Sequence, residues 1–89
     1  MALVIVETVF DPPITQDEFD ALAARTYTCL AERHATWVTS YMAVDRRRRV
    51  CVFDAPDAEA VRQAYRLSGV KFDRVWAAEQ ILDDEEDED

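Results

Sequence analysis

The sequence has few of the residues on which phosphate sites and metal sites depend. Its 89 residues include one glycine, two cysteines and one histidine. Glycine-rich loops that cradle nucleotide phosphates are therefore missing, and so are the paired Cys-x-x-Cys and His-Glu-x-x-His motifs that hold zinc. We expect neither nucleotide-driven chemistry nor a structural zinc site.

Long apolar runs are also missing. The first one, Ala2 to Val6, is interrupted by Glu7, which makes it too short for a membrane helix or for the core of a signal peptide. We therefore expect a cytoplasmic protein with no membrane segment. In that compartment Cys29 and Cys51 are expected to stay reduced and to pack as small apolar residues.

Basic charge is scarce as well. The formal net charge is −9, and residues 83–89, DDEEDED, are all acidic, so the other residues together carry only −2. A chain without a basic surface is not expected to bind nucleic acid. Because 49% of the chain is hydrophobic, residues 1–82 should fold as one domain. The acidic tail should be disordered, since like charges repel one another.

The first third of the chain predicts a strand followed by a helix. Residues 2–10, ALVIVETVF, are nearly all apolar and rich in β-branched side chains, and the prolines that follow Asp11 end the strand. Thr15 and Glu18 match a capping box. A helix is predicted over about 15–33 from apolar side chains at helical spacing, which are Phe19, Leu22, Ala23, Thr26, Tyr27 and Leu30.

The middle of the chain predicts a hairpin. Residues 36–43 alternate as a strand with two unlike faces, one carrying Trp37, Thr39 and Tyr41, the other Val38, Ser40 and Met42. Asp45 and the arginines at 46–49 are expected to form the solvated tip of the hairpin and the start of the next strand. The apolar run at 50–53, VCVF, predicts the third strand.

A second helix and a last strand complete the pattern. Pro56 stops the third strand and suits the first turn of a helix over about 57–68, which Gly69 ends. Its buried side should consist of Val61, Ala64 and Tyr65. Residues 74–82 predict the last strand.

The order βαββαβ predicts the ferredoxin-like split βαβ arrangement, an α+β sandwich whose antiparallel four-stranded sheet has the order 4-1-3-2. Two helices cover only one face of such a sheet, yet the two central strands are apolar on both faces. We therefore predict a homodimer that packs sheet to sheet around a two-fold axis. The space between the sheets could hold a small molecule.

Several segments resemble a small bacterial family of domains of unknown function, some of whose members are described as nickel-binding proteins. The resemblance covers roughly residues 4–78, and its most specific parts are APDAEAVR at 55–62 and FDRVW at 72–76. Its other elements are Ser40-Tyr41, Asp45, Arg48, Cys51, Phe53 and Gly69. The resemblance implies a ferredoxin-like dimer and a divalent metal such as nickel as a cofactor.

The metal candidates follow from that resemblance. Family members look as if they carry histidines at the positions that are Thr39 and Ala64 here, and imidazole is a natural nickel ligand. The one histidine of this chain is His34, so His34 and the nearby Glu32 are the candidate ligands. The alternative role of His34 is a favourable contact with the negative end of the first helix.

A second hypothesis is a small-molecule site, or a cofactor-free enzyme such as a cyclase, isomerase or monooxygenase, on the open sheet face. The candidate catalytic residues are Glu7, Tyr41, Arg62 and Trp76. Glu7 in a central strand would be either ion-paired, with Arg74 or Arg48, or a general acid or base. The aromatic residues would either orient a ligand or fill the core and the dimer interface.

A third hypothesis is a non-enzymatic accessory protein that acts by contact. In that case the acidic residues 83–89 would be the arm that reaches a partner protein.

Overall fold

The computed structural model describes residues 1–82, so the predicted disorder of the acidic tail lies outside the described residues. Six elements follow one another along the chain. They are β1 (Ala2–Val9), α1 (Gln16–Glu32), β2 (Thr36–Met42), β3 (Arg48–Ala55), α2 (Ala58–Ser68) and β4 (Arg74–Ala78).

The strands form one antiparallel sheet in the order β2-β3-β1-β4, which confirms the predicted topology. The central strands β1 and β3 are the longest, with eight residues each. The predicted end of β4 at Leu82 is wrong, because the strand stops at Ala78. Ala78 pairs with Leu3 near the start of β1, so the residues beyond it have little of β1 left to pair with.

The ends of both helices are fixed by local hydrogen bonds. The capping box is present: Thr15 Oγ1 accepts from the Glu18 amide at 3.1 Å, and Glu18 Oε1 accepts from the Thr15 amide at 3.0 Å. Helix α2 begins one residue later than predicted, because Asp57 is its N-cap and accepts from the Ala60 amide at 2.8 Å. Gly69 ends α2 with a φ of 72°.

The core lies between the helices and one face of the sheet. Val4, Val6, Cys51 and Phe53 of the central strands are buried against the helices. The predicted buried side of α2 is confirmed, since Val61, Ala64 and Tyr65 are all buried. The predicted inward position of Tyr27 on α1 is wrong: this side chain is 66% exposed, and Thr26 and Leu30 are the buried residues of that helix.

A β-bulge changes the faces of β2. The pairing with β3 shifts between Trp37 and Thr39, so Val38 is an extra residue in this strand. Trp37 is therefore opposite Phe53 and Ser40 is opposite Cys51, both on the side of the helices. Simple alternation placed Trp37 with Thr39 and Tyr41, and that prediction is wrong because the bulge reverses the alternation halfway along the strand.

The other face of the sheet is open in the single chain. Neither α1 nor α2 covers it, and it carries apolar side chains from the strands β1, β3 and β4. The most prominent are Ile5, Val50, Val52 and Trp76, with Tyr41 from β2 at the side. Trp76 is 45% exposed and Tyr41 is 66% exposed.

None of the helices within residues 1–82 is long and apolar enough to cross a membrane.

Candidate functional site

Two of the predicted site residues meet on the open face. The indole Nε1–H of Trp76 donates to Oε2 of Glu7 at 2.8 Å. Glu7 is also opposite Arg74 in the register of β1 and β4, but within residues 1–82 its carboxylate forms no salt bridge. The partner that the structure gives this half-buried carboxylate is therefore the indole, and not Arg74 or Arg48.

The other two candidates lie elsewhere. Tyr41 is on the same open face, but Val50 separates it from Glu7 across the sheet. Arg62 belongs to α2, on the opposite side of the sheet, where its Nη2 donates to the carbonyl of Val75 at 2.9 Å and its Nη1 contacts Glu59 at 3.2 Å. Neither Tyr41 nor Arg62 therefore joins Glu7 and Trp76 in one site.

The candidate metal ligands lie at the end of α1. Glu32 is the last residue of the helix, and His34 follows in the left-handed region with a φ of 59°; both are exposed. His34 borders a cleft of about 500 Å³. None of its other described lining residues is a histidine, a cysteine or a carboxylate; they are Tyr27, Leu30, Ala31, Ala35, Thr36 and Trp37. In the described part of the chain, no three such residues come together. These residues do not fit a closed nickel site.

A second cleft, of about 580 Å³, lies between α1 and β2. The bulge at Val38 turns Trp37 and Ser40 toward it, and the start of α1 and the hairpin after β2 close its other sides. The polar and aromatic side chains that line this cleft are Gln16, Phe19, Trp37, Thr39, Ser40, Arg46 and Arg49. None of the described residues that line this cleft is acidic.

Polar groups run from this cleft into the core. Nε1–H of Trp37 donates to Oγ of Ser40 at 2.7 Å, and Ser40 Oγ lies 3.0 Å from the sulfur of Cys51. Cys51 and Tyr65 belong to the same buried core cluster. Burial, followed by the neighbouring Cys51, raises the pKa of Tyr65 well above its ordinary value, so this hydroxyl keeps its proton. Cys29 and Cys51 are both unpaired thiols.

Arg49 is the residue that sequence reasoning missed. The arginines at 46–49 were predicted to form a solvated hairpin tip and the start of a strand, and β3 does begin at Arg48. The predicted exposure is wrong for two of them, because Arg49 is only 2% exposed and Arg46 is half-buried. The physical reason is strand alternation: Arg49 shares the helix-facing side of β3 with Cys51 and Phe53. That spacing was visible in the sequence, and it was the signal that could have located Arg49.

The fold and the cleft together define a ferredoxin-like α+β protein with room for a ligand. A solved structure of the same fold is that of SCO4226 from Streptomyces coelicolor A3(2). It superposes with a TM-score of 0.76 at 18% sequence identity, covering 92% of this chain and 99% of that protein. No curated protein matches the chain.

The sequence gives a second, independent relationship. Residues 4–77 match the family described as nickel responsive protein SCO4226-like. The chain therefore belongs to this family, which confirms the resemblance found in the sequence and its extent along the chain.

Proposed function

We propose that this chain is a binding protein for a small organic molecule and that it works as a homodimer. The observation that carries the proposal is the cleft between α1 and β2. Its volume of about 580 Å³ is within the range of known ligand sites. It combines apolar walls from Phe19, Trp37 and Met42 with the hydroxyl of Ser40 and the amide of Gln16, which is the composition typical of such sites.

The site is complete within one protomer. It lies on the helix side of the sheet, so a dimer formed through the open face leaves both clefts free. The proposed stoichiometry is therefore one ligand per chain. This location differs from the cavity between two sheets that the sequence suggested.

The dimer is the second part of the proposal, and the open sheet face supports it. This face has an apolar surface that neither α1 nor α2 covers, made of Val50 and Val52 of β3, Ile5 of β1 and Trp76 of β4. Packing two such faces around a two-fold axis buries these side chains in the way that sheets pack in β-sandwiches. We place the protein in the cytoplasm, a location that its two unpaired thiols support.

Divalent-metal binding at His34 is a second candidate function, and membership of the nickel-responsive family is the observation that favours it. The available ligands are His34 and Glu32, without a third histidine, cysteine or carboxylate grouped with them in residues 1–82. The nickel binding that we propose here is therefore weak and open to solvent. Native mass spectrometry with added nickel should show no fixed occupancy, and His34→Ala should remove the weak binding. Stoichiometric binding that survives this substitution would contradict the assignment.

The test of the main proposal is a screen of small organic molecules against the full-length chain by ligand-detected NMR. Val38→Trp places an indole at the mouth of the cleft, where the native side chain is 55% exposed. Val44→Trp adds the same group at a fully exposed turn and is the control. We expect molecules that bind the wild type and V44W but not V38W. The proposal fails if nothing binds, or if V38W binds as well as V44W.

A further inference from the structure

The Arg49 guanidinium is buried, and no carboxylate within residues 1–82 forms a salt bridge with it. Its central carbon lies 5.4 Å from the ring centroid of Phe10 and 5.4 Å from that of Phe19. Its Nε and Nη2 atoms are buried and have no hydrogen-bond partner among residues 1–82. A guanidinium keeps its charge at every ordinary pH. A buried charge is normally paired, and contacts with aromatic rings replace only part of what a carboxylate would supply.

The positions of the two unpartnered atoms indicate which kind of group could pair with them. Nε and Nη2 lie on the same edge of a guanidinium, and their N–H bonds point in the same direction. This edge is the fork that binds the two oxygens of a carboxylate in a bidentate pair. Two aromatic rings lie beside the Arg49 guanidinium, and residues 1–82 supply no acceptor for the fork.

The cleft beside Arg49 offers the rest of a recognition site. Arg46 adds a second cation to its wall, and no carboxylate of the described residues lines it. Phe19, Trp37 and Met42 provide an apolar surface for the body of a ligand. A molecule that matches both parts has one carboxylate and a flat or branched apolar body.

From these observations we infer that the cleft binds a small organic carboxylate and that Arg49 receives its carboxylate group. The inference rests on the proposed binding function and names the ligand class of that same site. Arg46 contributes a second positive charge.

Entry requires a small rearrangement, because the fork of Arg49 is shielded. Nη2 of Arg46 donates to Oε1 of Gln16 at 3.2 Å, and this exposed bond joins two of the residues that line the cleft. An exposed hydrogen bond contributes little to stability, since water replaces it readily. Opening it widens the path to Arg49 and frees Arg46 to contact the incoming anion.

The test measures the thermal unfolding of the full-length chain in low-salt buffer with phenylacetate, phenylacetamide or inorganic phosphate. Phenylacetate is expected to raise the Tm in a concentration-dependent way. Its apparent affinity should exceed that of the neutral phenylacetamide by about tenfold or more, because only the anion pairs with the guanidinium. Phosphate, which has no apolar body, should have a weaker effect than phenylacetate.

Two variants assign the effect to one residue. Arg49→Met keeps an unbranched side chain without the charge and should lose the response to phenylacetate. Arg47→Met is the control, since Arg47 is exposed on the hairpin and contacts Asp11 at 3.4 Å. A full response in R49M overturns the role of Arg49. The comparison of the three additives on the wild type decides the ligand class even where R49M does not fold.

The outcomes separate the two proposals. Equal stabilisation by phenylacetate and phenylacetamide overturns the carboxylate assignment and leaves a binding cleft. Equal stabilisation by phosphate and phenylacetate overturns the apolar part of the ligand class. No stabilisation by phenylacetate or phenylacetamide overturns the carboxylate assignment, and the fragment screen then decides whether the cleft binds any molecule.

Discussion

Thr8 and Arg49 lie directly opposite each other on β1 and β3, and each has a buried polar atom without a partner among residues 1–82. Thr8 is fully buried, and Arg49 is nearly so. Leaving a buried polar group unsatisfied costs about 1–3 kcal/mol of folding free energy. These two neighbouring groups therefore lower the stability of this part of the core.

The Thr8 hydroxyl should therefore be dispensable for folding. Thr8→Val keeps the shape of the side chain and loses no hydrogen bond, so the free energy of unfolding should stay the same or rise by about 1 kcal/mol. Thr26→Val is the matched control, because Thr26 is also buried but its Oγ1 donates to the carbonyl of Leu22 at 2.8 Å. Urea unfolding should show a loss of about 1 kcal/mol for T26V only. An equal loss in T8V would mean that the Thr8 hydroxyl has a partner.

The open sheet face should control the oligomeric state. Val52 is at its centre, opposite Ile5 on one side and Thr39 on the other. Val52→Glu places a charge where two sheets would meet, and an unpaired buried charge is unfavourable. Light scattering after size-exclusion chromatography should show a dimer for the wild type and a monomer for V52E. Thr28→Glu, on the exposed side of α1, should remain dimeric; a monomeric wild type, or a dimeric V52E, would disprove the interface.

Gly69 should be sensitive to substitution because of its backbone conformation. Its φ of 72° is in the left-handed region, and an added Cβ would lie 3.0 Å from Nη2 of Arg25, the flexible end of a side chain. The backbone therefore sets most of the effect. We expect Gly69→Ala to lower the free energy of unfolding by about 1 kcal/mol, and Gly69→Asn by less, since asparagine tolerates this region better. Chemical unfolding of the two variants should reproduce that ranking; an unchanged G69A would not fit.

Glu18 should make the start of α1 sensitive to acid. Its hydrogen bonds with the Thr15 amide, and then with the Thr15 side chain, lower the pKa of Glu18 below its ordinary value of 4.5. A lowered pKa stabilises the fold above the unfolded-state value, and this contribution is lost as the pH falls through the folded-state value. Glu18→Gln keeps a capping side chain without the titration. The Tm of the wild type should fall more steeply below pH 4.5 than that of E18Q, and parallel curves would contradict this.

The fold could be predicted because its signals are spread over many residues. The apolar runs of β1 and β3 identify the central strands, and Thr15, Glu18 and Gly69 mark helix ends through local hydrogen bonds and backbone geometry. The cleft could not be predicted in the same way. It depends on one extra residue, Val38, which reverses the direction of the side chains after it. The order of residues in β2 does not show where such a residue is inserted.

The candidate site shows the same contrast. Glu7 and Trp76 were both predicted as site residues, and the structure joins them by a hydrogen bond. Which charged side chain is buried was harder to predict, because a run of four arginines is most often solvated. The alternation of Arg49 with Cys51 and Phe53 carries the information, but it competes with the expectation that arginine stays at the surface.

The central claim is that the cleft of a single protomer binds a small carboxylate, and the indole NMR signals test it most directly. The Nε1–H groups of Trp37, in the cleft, and of Trp76, on the open face, report on the two sides of the sheet in one spectrum. With added phenylacetate, the Trp37 signal should shift until it saturates while the Trp76 signal stays in place. A Trp37 signal that does not respond, or equal shifts of both signals, would contradict the account.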